Sequence, residues 1–174
     1  MTPLSLEITL FFPEVFLSLS CLHIMVYGVL MATNHSYNFP LIQGNIYYLS
    51  LYVVFFSFLL TLYNPVEEML LFSGTFVLDD LTYISKLVLF GASFATLILI
   101  QPYIIAYKVN NFEYFLLILF SLLGFALLVS SFDFLSVYLA IELSALSAYI
   151  LAAFQRKSIF SSEDRKSTRL NSSH

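Results

Sequence analysis

Charged residues and cysteines are scarce in this chain of 174 residues. Only 10% of the residues are charged and 60% are hydrophobic, and a soluble domain of this length has no interior large enough for so much apolar surface. The one cysteine, Cys21, excludes a disulfide framework and any zinc or iron–sulfur site built from cysteines. We interpret Cys21 as a small buried hydrophobic residue. The net charge of −4 offers no basic stripe for binding nucleic acid.

The motifs of most enzyme classes are missing as well. The sequence contains no glycine-rich phosphate loop, no CxxC pair, no pair of histidines suited to haem and no nucleophile with a neighbouring base. Redox or hydrolytic chemistry carried out by this chain alone is therefore not expected. The composition predicts an all-α integral membrane protein whose activity depends on buried protonatable groups.

Five apolar segments approach the ~20 residues needed to cross a bilayer. They are residues 13–32, 41–62, 81–101, 112–130 and 134–154. The first lacks a cationic start and a small-residue cleavage site, so we expect a retained helix and not a signal peptide. The link of three residues before the fifth segment predicts an antiparallel pair of adjacent helices. The longest connection, 63–80, has an amphipathic middle that is able to lie along the membrane interface.

The charges of the loops predict an orientation in the membrane. If five helices alternate in direction, the basic loop residues fall on one side and the acidic loop residues on the other. The basic ones are Lys108, Arg156 and Lys157, and the acidic ones are Glu67, Glu68, Asp79, Asp80 and Asp133. By the positive-inside rule the basic side is the cytoplasm or matrix, and the N-terminus faces out.

Glu142 is a carboxylate near the middle of the fifth apolar segment. Such a side chain in hydrocarbon costs at least ~2.5–3.5 kcal/mol, so it usually has a partner or a function. At 100° per residue its helix face also carries Tyr138, Leu139, Ala145, Leu146 and Tyr149. The tyrosine hydroxyls could donate to the carboxylate or hold a chain of waters. The alternative is a protonated glutamic acid that only holds helices together.

Small residues line the opposite side of the same segment at intervals of four. They are Ser136, Ala140, Ser144, Ala148 and Ala152, and such a stripe lets another helix approach closely. We therefore expect the fifth helix to be packed on both faces, with Glu142 directed into protein or a hydrated cavity and not into lipid.

Four further ionisable residues lie in or beside apolar segments. Lys86 is expected to extend back to the interface or to pair with Asp79 or Asp80, with a place in a proton path as the alternative. His23 is expected to bond a neighbouring helix, or to serve in a proton relay. Glu14 and Glu113 lie at expected helix starts, where the helix dipole explains them without a function. No second ligand accompanies His23 at metal-binding spacing, so no metal site is expected.

Residues 164–174 differ in character from the rest of the chain. They read DRKSTRLNSSH, with three basic residues and almost no apolar ones. The composition alone is that of a disordered basic end. However, the eleven residues look like the translation of a sequencing adapter, and we interpret them as non-native.

The remaining sequence resembles the second subunit of the proton-pumping NADH:ubiquinone oxidoreductases (respiratory complex I) of mitochondria. The resemblance rests on FEYFLLILFSLLG, SSFDFLSVYLAIEL and YILAAFQRKSIFSSE within residues 111–163, and on FFPEVFL, YGV, YNFP and FVLDDLTYISKLVLF before them. It implies an antiporter-like subunit of about fourteen helices, of which this chain is an N-terminal fragment.

The resemblance also implies a role, a location and partners. Glu142 matches the family's glutamate of the fifth helix, a key residue of the proton pathway that is coupled to a lysine on a later, broken helix. The chain would hold no cofactor, and other subunits would bind NADH, flavin, iron–sulfur clusters and ubiquinone. Its partners would be the lipid bilayer and the other membrane-arm subunits. It would cross the mitochondrial inner membrane several times, with its N-terminus on the intermembrane-space side.

Two other functions are compatible with the same sequence. A cation/proton antiporter subunit shares the ancestral fold and a similar glutamate. A small five-helix scaffold or assembly protein would use Glu142 only to fix packing. The scaffold would fold stably alone, whereas a fragment would expose faces meant for later helices.

Overall fold

The protein is an almost entirely helical bundle with one short β-hairpin. A computed structural model describes the backbone of residues 4–32, 39–64, 68–107 and 112–171. The described elements, in chain order, are α1 (Leu4–Leu10), α2 (Phe12–Ala32), α3 (Phe39–Tyr63), β1 (Met69–Leu71), β2 (Phe76–Leu78), α4 (Asp80–Tyr107), α5 (Glu113–Ser130) and α6 (Phe134–Asn171).

Five of these helices are long and apolar enough to cross a membrane. The spans are Phe12–Met31, Gly44–Tyr63, Asp80–Ile104, Glu113–Ser130 and Phe134–Ala153. The predicted all-α membrane protein with five transmembrane helices is thereby confirmed. Helix α6 continues well past its apolar span to Asn171. The interpretation of residues 164–174 as a non-native or disordered tail stays a prediction.

Hydroxyl side chains within the helices are satisfied by the helix that carries them. Ser50, Ser57 and Thr61 of α3 each donate to the carbonyl oxygen four residues earlier, at 2.8–2.9 Å. In a bilayer no water is present to take these hydrogen bonds. Back-bonding therefore lets α3 bury three polar side chains without a partner on another helix.

Helices α2, α3, α4 and α5 surround one apolar core, and α6 packs mainly against α5. The core includes Cys21, which is fully buried as predicted. Gly124 of α5 lies against the backbone of Ser144 in α6, so closely that a Cβ there would be 2.7 Å from the Ser144 nitrogen. This contact confirms that the last two helices are adjacent, and it explains how they approach so closely.

The connection between α3 and α4 contains a β-hairpin, and its expected position along the membrane interface stays a prediction. Strands β1 and β2 are antiparallel, with Met69 opposite Leu78 and Leu71 opposite Phe76. Apolar residues of the hairpin pack with the turn between α1 and α2. Helix α1 was not predicted from the sequence. We call this cluster the apolar cap: Leu10, Phe11, Leu71, Phe72, Phe76 and Leu78. Burial against Phe11 and cross-strand pairing stabilise the hairpin.

Some sequence predictions lie outside the described residues. They concern the loop charges Glu67 and Lys108. The side chains of Arg156, Lys157 and the rest of the chain to residue 174 also lie outside. The predicted orientation, which depends on several of these charges, stays a prediction.

Candidate functional site

The end of the bundle that carries the hairpin contains a buried ion pair. Lys86 of α4 and Glu14 of α2 are 2% and 1% exposed, and Lys86 Nζ contacts Glu14 Oε1. Lys86 lies six residues inside α4, a rise of about 9 Å from its first residue. Glu14 lies in the first turn of α2. Both charges therefore lie within the apolar bundle, below its end.

The carboxylate of Glu14 has few other partners. Ser130, the last residue of α5, donates to Glu14 Oε1 at 3.3 Å and also lies 3.2 Å from its own helix carbonyl, that of Ala126. Within the described residues no donor reaches the second oxygen, Oε2, which is buried. A buried carboxylate oxygen without a donor is costly, because the hydrogen bonds that it would make with water are not replaced.

The ion pair corrects two expectations from the sequence. Lys86 neither extends to the interface nor pairs with Asp79 or Asp80. Asp79 instead caps α4, since its carboxylate accepts from the backbone nitrogen of Thr82 at 2.7 Å while the Thr82 hydroxyl accepts from the Asp79 nitrogen at 2.9 Å. Glu14 is the counter-ion of Lys86, although its position at a helix start was expected to have no role beyond the helix dipole. The pairing joins distant parts of the chain, so sequence spacing could not reveal it.

The apolar cap lies over this pair. Lys86 Nζ is 5.9 Å from the centre of the Phe11 ring, and that ring packs against Phe72 and Phe76 at 5.5 and 4.8 Å. The tip of the hairpin is tied to the start of α6, because the Thr75 carbonyl accepts from the Phe132 nitrogen at 2.9 Å and from the Ser136 hydroxyl at 3.1 Å. The cap therefore bridges the α1–α2 turn and the α5–α6 link.

Glu142 lies in a different environment. It is exposed on α6, as are its helix-face neighbours Tyr138 (57%) and Tyr149 (71%). Within the described part of the chain, neither tyrosine hydroxyl bonds the Glu142 carboxylate. The expectation that α6 is packed on both faces is therefore not met by this chain, because α6 has α5 as its main neighbour.

Only some of the small residues of α6 lie on its packed face. Ala140 and Ser144 are buried against α5, and Ser147 is buried beside them. Ala148 and Ala152 are exposed. The stripe thus positions the first half of α6 against α5, and this contact directs Glu142 away from the bundle.

The other candidate residue, His23, does not join either carboxylate site. It is exposed on α2 and forms no bond to a neighbouring helix within the described residues. Among those residues, no three histidine, cysteine, aspartate or glutamate side chains come together in a way that could hold a metal ion.

Comparison with known proteins gives a consistent result, although no protein-family model matches the chain. It is 32% identical over 153 residues to NADH-ubiquinone oxidoreductase chain 2 of Marchantia polymorpha, which covers 87% of this chain and 31% of that protein. The same protein of Arabidopsis thaliana is 31% identical over 155 residues, with the same two coverages. NADH-quinone oxidoreductase subunit N of Maricaulis maris is 28% identical over 160 residues, covering 92% of this chain and 32% of that protein.

The chain therefore spans about a third of the length of the curated relatives it matches. The similarity includes both mitochondrial and bacterial proteins and extends over most of the five apolar helices. Over nearly its whole length, the chain resembles chain 2, or subunit N, of the NADH–quinone oxidoreductases.

Proposed function

We propose that this chain is part of a proton-translocating membrane-arm subunit of an NADH:ubiquinone oxidoreductase, and that Glu142 carries the transferred proton. The observation that supports this most strongly is an exposed carboxylate in the middle of an apolar span, in a chain that resembles chain 2 of such enzymes. A carboxylate on the outer face of a membrane helix is stabilised only if other protein or water covers it. The partner would be a lysine on a later helix, as the resemblance implies.

The proposed mechanism uses the distance between Glu142 and that lysine. A nearby positive charge favours the ionised form of a carboxylate, and desolvation favours the protonated form. Quinone reduction elsewhere in the complex would change the field along the membrane arm and move the two groups together or apart. Glu142 would release a proton when they approach and take one up when they separate. Tyr138 and Tyr149 would hold waters that bring the proton to the carboxylate.

The cofactors, partners and location follow from the same proposal. NADH, flavin, iron–sulfur clusters and ubiquinone would be bound by other subunits, so the isolated chain would not catalyse the reaction. Its partners would be the neighbouring membrane-arm subunits and the lipid bilayer. The plant relatives support a multi-pass location in the mitochondrial inner membrane, with the N-terminus on the intermembrane-space side.

The test is the number of protons moved per NADH oxidised by the assembled complex in sealed vesicles. Glu142→Gln in the full-length subunit should lower this ratio, because glutamine has the shape of glutamate but cannot take up a proton. Glu113→Gln is the matched control, since Glu113 is exposed in the first turn of α5, and it should leave the ratio unchanged. A normal ratio in an assembled Glu142→Gln complex would refute the proposal.

A further inference from the structure

The buried Glu14–Lys86 pair is not used by the proposed role of Glu142. Its two side chains come from α2 and α4, and a third polar group, the Ser130 hydroxyl, comes from the end of α5. Three membrane helices therefore meet at one point where a full negative and a full positive charge lie almost without exposure. Keeping two such charges out of water costs several kcal/mol per ion before their attraction offsets it.

We propose that Glu14 and Lys86 form a second proton-exchange site, in which one proton passes between the two side chains. This inference rests on the proposed function, since it assigns the site to proton translocation. In the transfer, an N–H bond of the Lys86 ammonium breaks and an O–H bond forms on the Glu14 carboxylate. The nitrogen keeps the electron pair, and both groups become neutral. No electron leaves the pair, and the reverse step restores the charges.

The hydrogen bonds around Glu14 favour proton exchange between the two side chains and not an ion pair that always stays charged. A buried carboxylate that is held permanently in its ionised form is stabilised by donors to both oxygens. Here Oε2 has no donor in the described part of the chain. Besides Lys86 Nζ, Oε1 has among these residues only the Ser130 hydroxyl, whose single hydrogen is shared with the Ala126 carbonyl. Lys86 is therefore the main partner of the carboxylate, and its ammonium is also the group placed to give it a proton. Burial favours the neutral pair, while the attraction between Lys86 and Glu14 favours the charged one.

The surroundings separate this pair from the water at the hairpin end. The segment Met69–Leu78 contains no titratable side chain, and the apolar cap places Phe11 against Lys86. The charged residues of the adjoining described segments are Glu7 of α1, the exposed Glu68 before β1, Asp79 and Asp80 at the start of α4, and Asp133 before α6. Asp79 is engaged in capping α4, and Asp80 and Asp133 are exposed. A proton on the pair therefore cannot reach these surface groups through a side chain of the hairpin.

The test compares variants that remove one charge with the variant that removes both. Glu14→Gln and Lys86→Met, each made in the full-length subunit of the assembled complex, should impair assembly. Each removes one partner and leaves a buried group that either stays an unpaired charge or is neutralised at a cost in free energy. The double variant removes both charges and should assemble. If the site exchanges protons, the double variant still moves fewer protons per NADH than the unmodified complex. A normal ratio in the assembled double variant would show that the pair only holds the helices together.

Infrared spectroscopy of this chain in lipid nanodiscs gives a second readout that does not depend on assembly. Lys86→Met should show the carbonyl stretch of a protonated carboxylic acid, and this band should be missing from the Glu14→Gln/Lys86→Met variant. Without that band, Glu14 does not take up a proton when its counter-ion is lost, and the inference is wrong. Glu142→Gln in the same pumping assay separates the two ideas. A reduced ratio there, with a normal ratio in the double variant, removes only the second site.

Discussion

Glu14 and Glu142 carry the same carboxyl group in helices of similar hydropathy, but they differ in burial and in pairing. Glu14 is enclosed by three helices, bound to Lys86 and covered by the apolar cap. Glu142 lies on the outer face of α6 with exposed tyrosines beside it. The difference shows that a carboxylate in a membrane helix can be stabilised in one of two ways. Either its partner is within the same bundle, or the helix needs another polar segment on its open face.

The bundle has a closed end, where Glu14 and the apolar cap lie, and an open face, where Glu142 lies. At the closed end, the hairpin bonds to the start of α6 and packs on the α1–α2 turn, so several elements depend on one another. On the open face, the residues around Glu142 contact no other helix of the described bundle extensively. Substitutions at the two sites should therefore differ strongly in their effect on the stability of this chain.

The largest effect on stability is expected for Lys86→Met. It leaves Glu14 buried without its counter-ion, so that the carboxylate stays unpaired or has to take up a proton, and it should reduce the free energy of unfolding by about 3–5 kcal/mol. The measurement is the rate at which maleimide modifies Cys21 in lipid bicelles, because this only thiol is fully buried in the core. The double variant Glu14→Gln/Lys86→Met should recover most of the protection. If it is as reactive as the single variant, loss of the charge balance is not the cause.

A smaller loss is expected for Gly124→Ala, which loosens the contact that positions α6. The added Cβ would be 2.7 Å from the Ser144 nitrogen and 2.9 Å from its Cβ, and overpacking of this kind typically costs about 1–3 kcal/mol. Gly91→Ala is the control, since its nearest atom would be 3.9 Å away on Phe58. Thermal unfolding followed by helical circular dichroism should show a lower midpoint for Gly124→Ala only. Equal midpoints would mean that α5 and α6 are less closely packed than described.

Removal of the hydrogen bonds that cap the N-terminus of α4 should reduce the free energy of unfolding by a still smaller amount. Asp79→Ala deletes the acceptor for the Thr82 nitrogen and should cost about 1 kcal/mol, as for other helix caps. The same Cys21 modification assay measures it. Asp80→Ala removes only an exposed charge near the positive end of the helix dipole, which contributes as little as about 0.3 kcal/mol. If both variants cost the same, the reciprocal bonds between Asp79 and Thr82 do not hold the start of α4.

The smallest effect on the stability of this chain is expected for Glu142→Gln. An exposed side chain without a partner contributes little to folding, so the free energy of unfolding should change by less than about 0.5 kcal/mol. The same variant should nevertheless lower proton translocation by the complete complex. A destabilisation as large as that of Lys86→Met would contradict the comparison, because it would mean that Glu142 has a partner inside this bundle.

The spans could be predicted from the sequence because the apolar runs are long and bounded by polar residues. Each confirmed span begins and ends within a few residues of its prediction, as for 134–154 against Phe134–Ala153. The hairpin could not be predicted, since Met69–Leu71 and Phe76–Leu78 are each only three residues long. Their pairing depends on contacts with Phe11, which is distant in sequence. Helix α1 was missed because seven residues give too short a periodic pattern.

The two sites differ in how far the sequence revealed them. Glu142 could be singled out because it interrupts an apolar run, and the resemblance gave it a role that stays a prediction. Lys86 was singled out for the same reason, but its partner was not. Glu14 follows a proline at a helix start, where acidic residues are common. Only the three-dimensional packing of α2 against α4 and α5 shows that this carboxylate is buried and paired.

The proposed membership of this chain in the membrane arm of an NADH-oxidising complex can be tested directly. The most direct measurement is mass spectrometry of the NADH:quinone oxidoreductase purified from the membranes that express this chain. We expect peptides from residues 1–157 to copurify with the activity, and the peptide that begins at Ser158 to read SIFSSE before departing from the printed sequence. Peptides of this chain that separate from the NADH-oxidising fractions would contradict the account.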